Sequence, residues 1–148
     1  MLSVIIDARA EPEGLPALLA QLTAGAVHGL VRQVLIVAPL GDAHLADLCE
    51  EVGAELCDGL QTAGAASRAD LLLIVPAALR LRDGWLGSLS EHVRRGGGPA
   101  VVLGLAEPGL FGRRRYGVLV ERRRLEGGRE ADLNRLRREL GLGAVRIG

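Results

Sequence analysis

At 148 residues the chain suits one domain able to bury its own core. Apolar residues make up 49% of it, which excludes a disordered chain, and aromatics only 2%, so the core is aliphatic. The formal net charge is zero and no aromatic platform accompanies the basic residues, which argues against a nucleic-acid partner.

The elements read in order as follows. Leu2 to Ile6, "LSVII", is an apolar run suited to a central parallel strand covered on both faces. In "EGLPALLAQLTAGAV", Leu15, Leu18, Leu19 and Leu22 recur at helical spacing, and Pro16 falls in the first turn. Val31 to Pro39 is a second buried strand. "GDAHLADLCEEVGAEL" is a helix with Asp42 as N-cap, Leu45, Leu48 and Cys49 inward and Gly53 at its end. "AELCDG" holds a short third strand, "TAGAASRA" is helix-compatible, and Asp70 to Pro76, "DLLLIVP", is the most hydrophobic strand. "GWLGSLSEHVRRGGG" is a helix with Trp85, Leu86, Leu89 and Val93 on one side.

After Gly98 the pattern changes. "PAVVLGLAEPGLFG" offers one more strand, and "RRRYGVLVERRRLEGG" a strand running into an Arg-rich turn. Arg129 to Gly141 is a helix with Leu133, Leu136 and Leu140 on one face, and "AVRIG" closes as a short strand or tail. Strands alternating with helices imply a parallel sheet with right-handed crossovers. The expected fold is a single three-layer α/β/α domain with a mostly parallel sheet. The change of pattern after Gly98 divides it into residues 1–98 and an Arg-rich second part, residues 99–148, of the same domain. Ligands on such sheets sit beyond the carboxyl ends of the strands, so the loops after Ile6, Val37 and Val75 are where a site belongs.

Charge is uneven. Residues 1–112 hold 7 Arg against 13 acids, and residues 113–148 hold 11 Arg against 5. Either the two parts meet in the fold or solvate separate faces, or the second part presents a surface to an anion or an acidic partner. Cys49 and Cys57 make no metal-ligand cluster with His28, His44 or His92 and read as buried thiols in a reducing compartment. The N-terminus lacks a basic segment and Asp7 interrupts its apolar run, so it reads as a strand rather than a signal peptide. No apolar run reaches the length of a membrane span, and the expected location is the cytoplasm.

Several stretches resemble glycosyltransferase family 2, whose members have a GT-A fold. "LSVIIDARAEPEGLPALLAQL" is similar to openings of the type "LSVIIPTLNE", with Glu11 in step with the family's Glu. "VRQVLIVAPLGDAHLADLCEEVGAEL" resembles "VREVIVVDGGSTDGTAEIAEEAGARV". "AGAASRADLLLIVPAALRLRDGWL" resembles "AGAAAARGDWLLFLHADTRLPPGWL". "GVLVERRRLEGG" and "READLNRLRRELG" resemble "GLLISRRLYEEVGG" and "EDVDLVRRLRRLG". The resemblance covers most of residues 1–95 and two later patches, 117–128 and 129–141.

The departures fall on functional positions. The family's nucleotide-side acid after the second strand falls on Ala38, leaving Asp42 as the nearest acid. Its metal-binding Asp falls on Ala78, flanked by Pro76 and Ala77. The catalytic base falls on Glu130, and Asp132 is kept by position. The resemblance therefore implies Glu130 and Asp132 at the catalytic position, and Glu11 and Asp42 on the nucleotide side. Arg80 and Arg82, two and four residues past Ala78, would meet the diphosphate. It implies no cofactor, because a divalent cation has no carboxylate at Ala78 to offset the diphosphate. The expected function is a degenerate, non-catalytic relative acting as a binding or regulatory partner, with a nucleotide or nucleotide-sugar as a candidate ligand. A protein partner or second copy would meet the Arg-rich stretch 113–138. The alternative is an active, metal-independent glycosyltransferase with Glu130 as base.

Overall fold

The first strand is where sheet and sequence meet most simply. β1 (Leu2–Asp7) is buried along its length up to Asp7, and its residues alternate between two cores. Leu2, Val4 and Ile6 face one layer and Ile5 the other. An apolar run covered on both faces is what a central strand of a parallel sheet requires. The computed structural model describes residues 1–39, 41–106, 114–126, 132–141 and 145–148.

The remaining elements follow in chain order. After β1 come α1 (Leu15–Val27), β2 (Val31–Val37), α2 (Ala43–Val52), β3 (Glu55–Cys57) and α3 (Leu60–Ala66). Then come β4 (Leu71–Pro76), α4 (Trp85–Arg94), β5 (Ala100–Ala106), β6 (Arg114–Glu121), α5 (Leu133–Leu140) and β7 (Val145–Ile147). The strands form one seven-stranded sheet in the order β3-β2-β1-β4-β6-β5-β7. β1 pairs in parallel with β2 and β4, whereas β6 runs antiparallel to both β4 and β5. The sheet is thus mostly parallel, with β6 inserted against the grain.

Helices cover both faces. Leu15, Leu18 and Leu22 of α1, Leu45 and Cys49 of α2, and Trp85 and Leu89 of α4 pack on one side. Leu60 and Ala63 of α3 and Leu136 of α5 pack on the other, over Ile5, Leu35, Leu72 and Ile74. Full burial of each such aliphatic side chain contributes about 1.5–3 kcal/mol. The expected inward stripes of α1, α2 and α5 are present, with Leu19, Leu48, Leu133 and Leu140 half-buried at their margins.

Helix ends follow local chemistry. The Asp42 side chain accepts from the Leu45 N–H at 3.1 Å and starts α2, and Gly53 ends it with φ 73°. Asp132 accepts from the Arg135 N–H at 2.7 Å and starts α5. The helix expected from Arg129 therefore begins at Leu133; Arg129, Glu130 and Ala131 lie outside the described residues.

A buried polar knot ties the opposite, N-terminal edge of the sheet. Gln33 is 6% exposed. Its Oε1 accepts from Ser3 Oγ at 2.9 Å and from the Arg68 N–H at 2.8 Å. Its Nε2 donates to Glu55 at 2.9 Å and to the Ala66 carbonyl at 3.2 Å. Every polar group of the amide is used, which fixes the turn between α3 and β4. The acidic and basic parts of the chain meet at the Glu11–Arg115 and Asp70–Arg122 ion pairs. Among the described residues no helix is long and apolar enough to cross a membrane.

Candidate functional site

The chain leaves β1 toward β2 and β3 and then returns to place β4 on the other side of β1. Loops leaving β1 and β4 therefore diverge, and a crevice opens at this switch point. Asp7 ends β1 and Pro76 ends β4, and the two are register partners. Because β6 is antiparallel, its first residues lie at this same edge, and α5 also begins there. The result is a cavity of about 430 Å³ lined by Asp7, Glu11, Pro76, Arg115, Tyr116, Asp132, Leu133 and Asn134.

Its charged groups are paired. Arg9 binds Asp7 through two nitrogens, Nε to Oδ1 at 2.9 Å and Nη2 to Oδ2 at 2.8 Å. Arg115 reaches from β6 to Glu11 with Nη2 at 3.0 Å from Oε1 and 2.7 Å from Oε2. Asp132 receives the Arg135 N–H as the cap of α5. Tyr116 donates its hydroxyl to Asn134 Oδ1 at 2.7 Å. Burial pushes the Tyr116 phenol above its usual value, with Asp132 acting the same way and Arg137 and Arg138 opposing. Glu11 has φ 54° and ψ 52°, the one non-glycine with positive φ among the described residues. A left-handed non-glycine residue costs on the order of 1–2 kcal/mol, so the surrounding turn holds it there.

Pro76, the last residue of β4, lines the cavity, and the loop that follows it is tightly held. Gln21 of α1 donates to the Leu81 carbonyl at 3.0 Å and accepts from the Leu81 N–H at 2.8 Å, as a strand neighbour would. At its base, Gly14 lies so close that an added Cβ would sit 2.7 Å from the Ala77 oxygen and 2.8 Å from the Ala78 Cα.

The residues singled out in the sequence separate in space. Glu11 and Asp132 come together in the cavity, joined by Asp7, Arg115, Tyr116 and Asn134; sequence reasoning did not single these out, although the last three lie within the Arg-rich stretch 113–138. Asp42 is engaged as the cap of α2. Arg80 donates Nη1 to the carbonyls of Ala77 and Leu79, at 3.3 and 2.7 Å, and neither it nor Arg82 lines the cavity. Glu130 lies outside the described residues. A cavity of about 480 Å³ at the other end of β4 is bordered by Asp70, Glu121, Arg122 and Arg123, which pair among themselves. It lies at the amino ends of the parallel strands, away from the switch point.

No protein-family model matches the chain, and no curated protein matches it in sequence. Solved structures do match in shape. Mannosyl-3-phosphoglycerate synthase from Rubrobacter xylanophilus superposes with a TM-score of 0.53 at 18% identity, over 69% of this chain and 38% of that one. Glucosyl-3-phosphoglycerate synthase from Mycobacterium tuberculosis, captured with Mn2+, UDP and glucosyl-3-phosphoglycerate, gives 0.52 at 17% identity, over 69% and 42%. A 4-diphosphocytidyl-2C-methyl-D-erythritol synthase gives 0.66 at 16% identity, over 99% of this chain and 88% of that one. The fold is GT-A-like. The chain spans about two fifths of the two phosphoglycerate synthases, but nearly the whole of the third protein.

The described residues offer little to a divalent cation of the kind present in the Mycobacterium structure. The stretch leaving β4 reads Pro76, Ala77, Ala78 and offers no side-chain oxygen. Asp7 and Glu11 are each taken by an arginine, and Asp132 by a helix N–H. Among the described residues no group of three His, Cys, Asp or Glu side chains converges to hold a metal ion. Among the described residues the donor set does not fit a hard cation, which needs several free oxygens.

Proposed function

We propose that this chain, a degenerate relative of glycosyltransferase family 2, binds a nucleoside diphosphate or nucleotide-sugar in the switch-point cavity and works by binding rather than by sugar transfer. The supporting observation is the convergence of Arg115, Tyr116 and Asn134 on the crevice between β1 and β4, beside a β4 loop without a carboxylate. A cavity of about 430 Å³ is within the range of small-molecule sites. Arg115 supplies a cation for phosphate, and the Tyr116 hydroxyl and Asn134 amide supply neutral partners for a ribose or base.

Sugar transfer needs a base at the acceptor hydroxyl and compensation for the departing diphosphate. Asp132 spends its carboxylate on α5, and Ala78 leaves the second need unmet at that loop. The second reading is an active, metal-independent transferase with Glu130 as base. It is favoured by the overlap of 99% of this chain with 88% of a 4-diphosphocytidyl-2C-methyl-D-erythritol synthase.

The test is a thermal-shift titration of the full chain with uridine, guanosine and cytidine diphosphates and their sugars, with Mn2+ or EDTA. Ligand at a hundredfold excess over its Kd stabilises by about 2.7 kcal/mol, a rise of several degrees at this size. No shift at millimolar ligand removes the binding reading. Chromatography of the same mixtures after incubation separates the alternatives, because consumption of the sugar donor that depends on the protein means that the chain cleaves it, with water taking the place of the acceptor.

A further inference from the structure

We infer that the Glu11–Arg115 ion pair is a latch across the cavity, which a diphosphate opens by taking Arg115 from Glu11, with no divalent metal between protein and phosphate. This rests on the nucleotide-binding reading above.

The pair joins the two walls of the cavity. Glu11 belongs to the turn after β1 and Arg115 to the start of β6, 104 positions later. Its geometry suits exchange. Both Glu11 oxygens are held by one guanidinium nitrogen, Nη2, rather than by two nitrogens in parallel. A fork of two parallel bonds is the stronger arrangement, and phosphate oxygens suit it. The Arg9–Asp7 pair nearby already has two nitrogens on two oxygens. Glu11 is also the more exposed partner, at 52% against 25% for Arg115, so its carboxylate can swing into water.

The charge balance points the same way. Among the described residues three carboxylates line the cavity, and a diphosphate entering beside all three would be repelled. Asp7 is neutralised by Arg9, and Asp132 faces the N–H groups of α5. Glu11 is the carboxylate held by a cation that itself lines the cavity. Exchanging Glu11 for a phosphate at Arg115 keeps that cation compensated and removes the nearest repelling charge. The left-handed backbone of Glu11 marks its turn as held by contacts rather than by local preference. The resemblance assigns Glu11 to nucleotide binding; as a latch it competes with the ligand instead.

Calorimetric titration of the full chain with inorganic pyrophosphate and with UDP, in EDTA and in Mn2+, tests this on wild type, Glu11→Gln and Arg115→Met. Glu11→Gln is expected to tighten both ligands about two- to fivefold, the range an exposed ion pair commands. Arg115→Met is expected to weaken both at least about tenfold, as loss of a charge-assisted phosphate contact does. EDTA should leave every affinity unchanged. If Glu11→Gln binds more weakly, or wild type binds only with Mn2+, the latch is overturned and nucleotide binding stands. If neither wild type nor Glu11→Gln binds UDP or pyrophosphate, both readings fall together. Circular dichroism checks the fold of Arg115→Met; if that variant does not fold, the Glu11→Gln comparison decides alone.

Discussion

Replacing Gly14 with Ala is a direct probe of how the loop leaving β4 packs on the start of α1. The backbone there, φ −75° and ψ −13°, is open to any L-residue. Reduced freedom of the unfolded chain would alone stabilise Ala by about 0.4–1 kcal/mol. Packing opposes it. The new Cβ would lie 2.7 Å from the Ala77 oxygen and 2.8 Å from the Ala78 Cα, where ordinary contact begins at 3.4 Å. Both neighbours are backbone atoms of a loop pinned by Gln21, so more than half an ångström must come from moving the main chain. Overpacking of this kind costs typically about 1–3 kcal/mol. The net expectation is a loss of about 1–2 kcal/mol, or roughly 2–8 °C in Tm for a chain of this size. Gly87, inside α4 with no atom within 4 Å of an added Cβ, is the control. There Ala should stabilise by about 0.5–1 kcal/mol. Urea denaturation of both variants gives the comparison. If Gly14→Ala matches or exceeds wild type while Gly87→Ala gains as expected, the close approach of the β4 loop to the start of α1 is wrong.

Three further outcomes are expected. Gln33→Leu should lose about 2–4 kcal/mol in urea denaturation, because the Arg68 N–H and Ser3 Oγ each lose a buried partner; an unchanged midpoint would remove the polar knot as a structural element. The raised phenol of Tyr116 favours the protonated form in the folded state. Its contribution is therefore fully present below the unfolded value near 10 and is lost as pH rises through the higher folded value. Tyr116→Phe should flatten the alkaline fall in Tm, leaving the part due to Cys49 and Cys57, whose thiols burial also pushes up. Both thiols should resist a disulfide reagent at pH 8 in the native protein and react once denaturant is added; rapid native labelling would contradict their burial.

The fold was legible wherever a signal was local. The apolar runs of β1, β2 and β4, the caps Asp42 and Gly53, and the leucine stripes of α1 and α5 are each set by neighbours within a few positions. Partner choice was not. Nothing in "RRRYGVLVE" says that the strand runs antiparallel between β4 and β5, yet that insertion alone carries Arg115 and Tyr116 to the cavity. For the diphosphate, a chain-local rule, counting residues from Ala78, put Arg80 and Arg82 first, and Arg115 was visible only as one member of an Arg-rich stretch. The loop instead turns Arg80 onto its own carbonyls, and the cation lining the cavity comes from the far half of the sequence. Asp7 left a usable trace, a lone acid ending an otherwise apolar strand at the carboxyl edge. The charge imbalance between the two parts was visible in full, and the Glu11–Arg115 and Asp70–Arg122 pairs show where they meet.

The strand order also bears on how the protein is made. β1 needs β4 as its second flank, and the paired positions Ser3 and Leu72 are 69 residues apart. A ribosome adding about 5–20 residues per second takes about 3–14 s to cover that distance. Through that interval "LSVII" can pair with β2 but presents its other edge to whatever is near. The open edge of such an apolar strand invites pairing with another chain. The yield of native protein is therefore coupled to translation speed between β2 and β4: pauses there prolong the exposure, and uninterrupted synthesis shortens it.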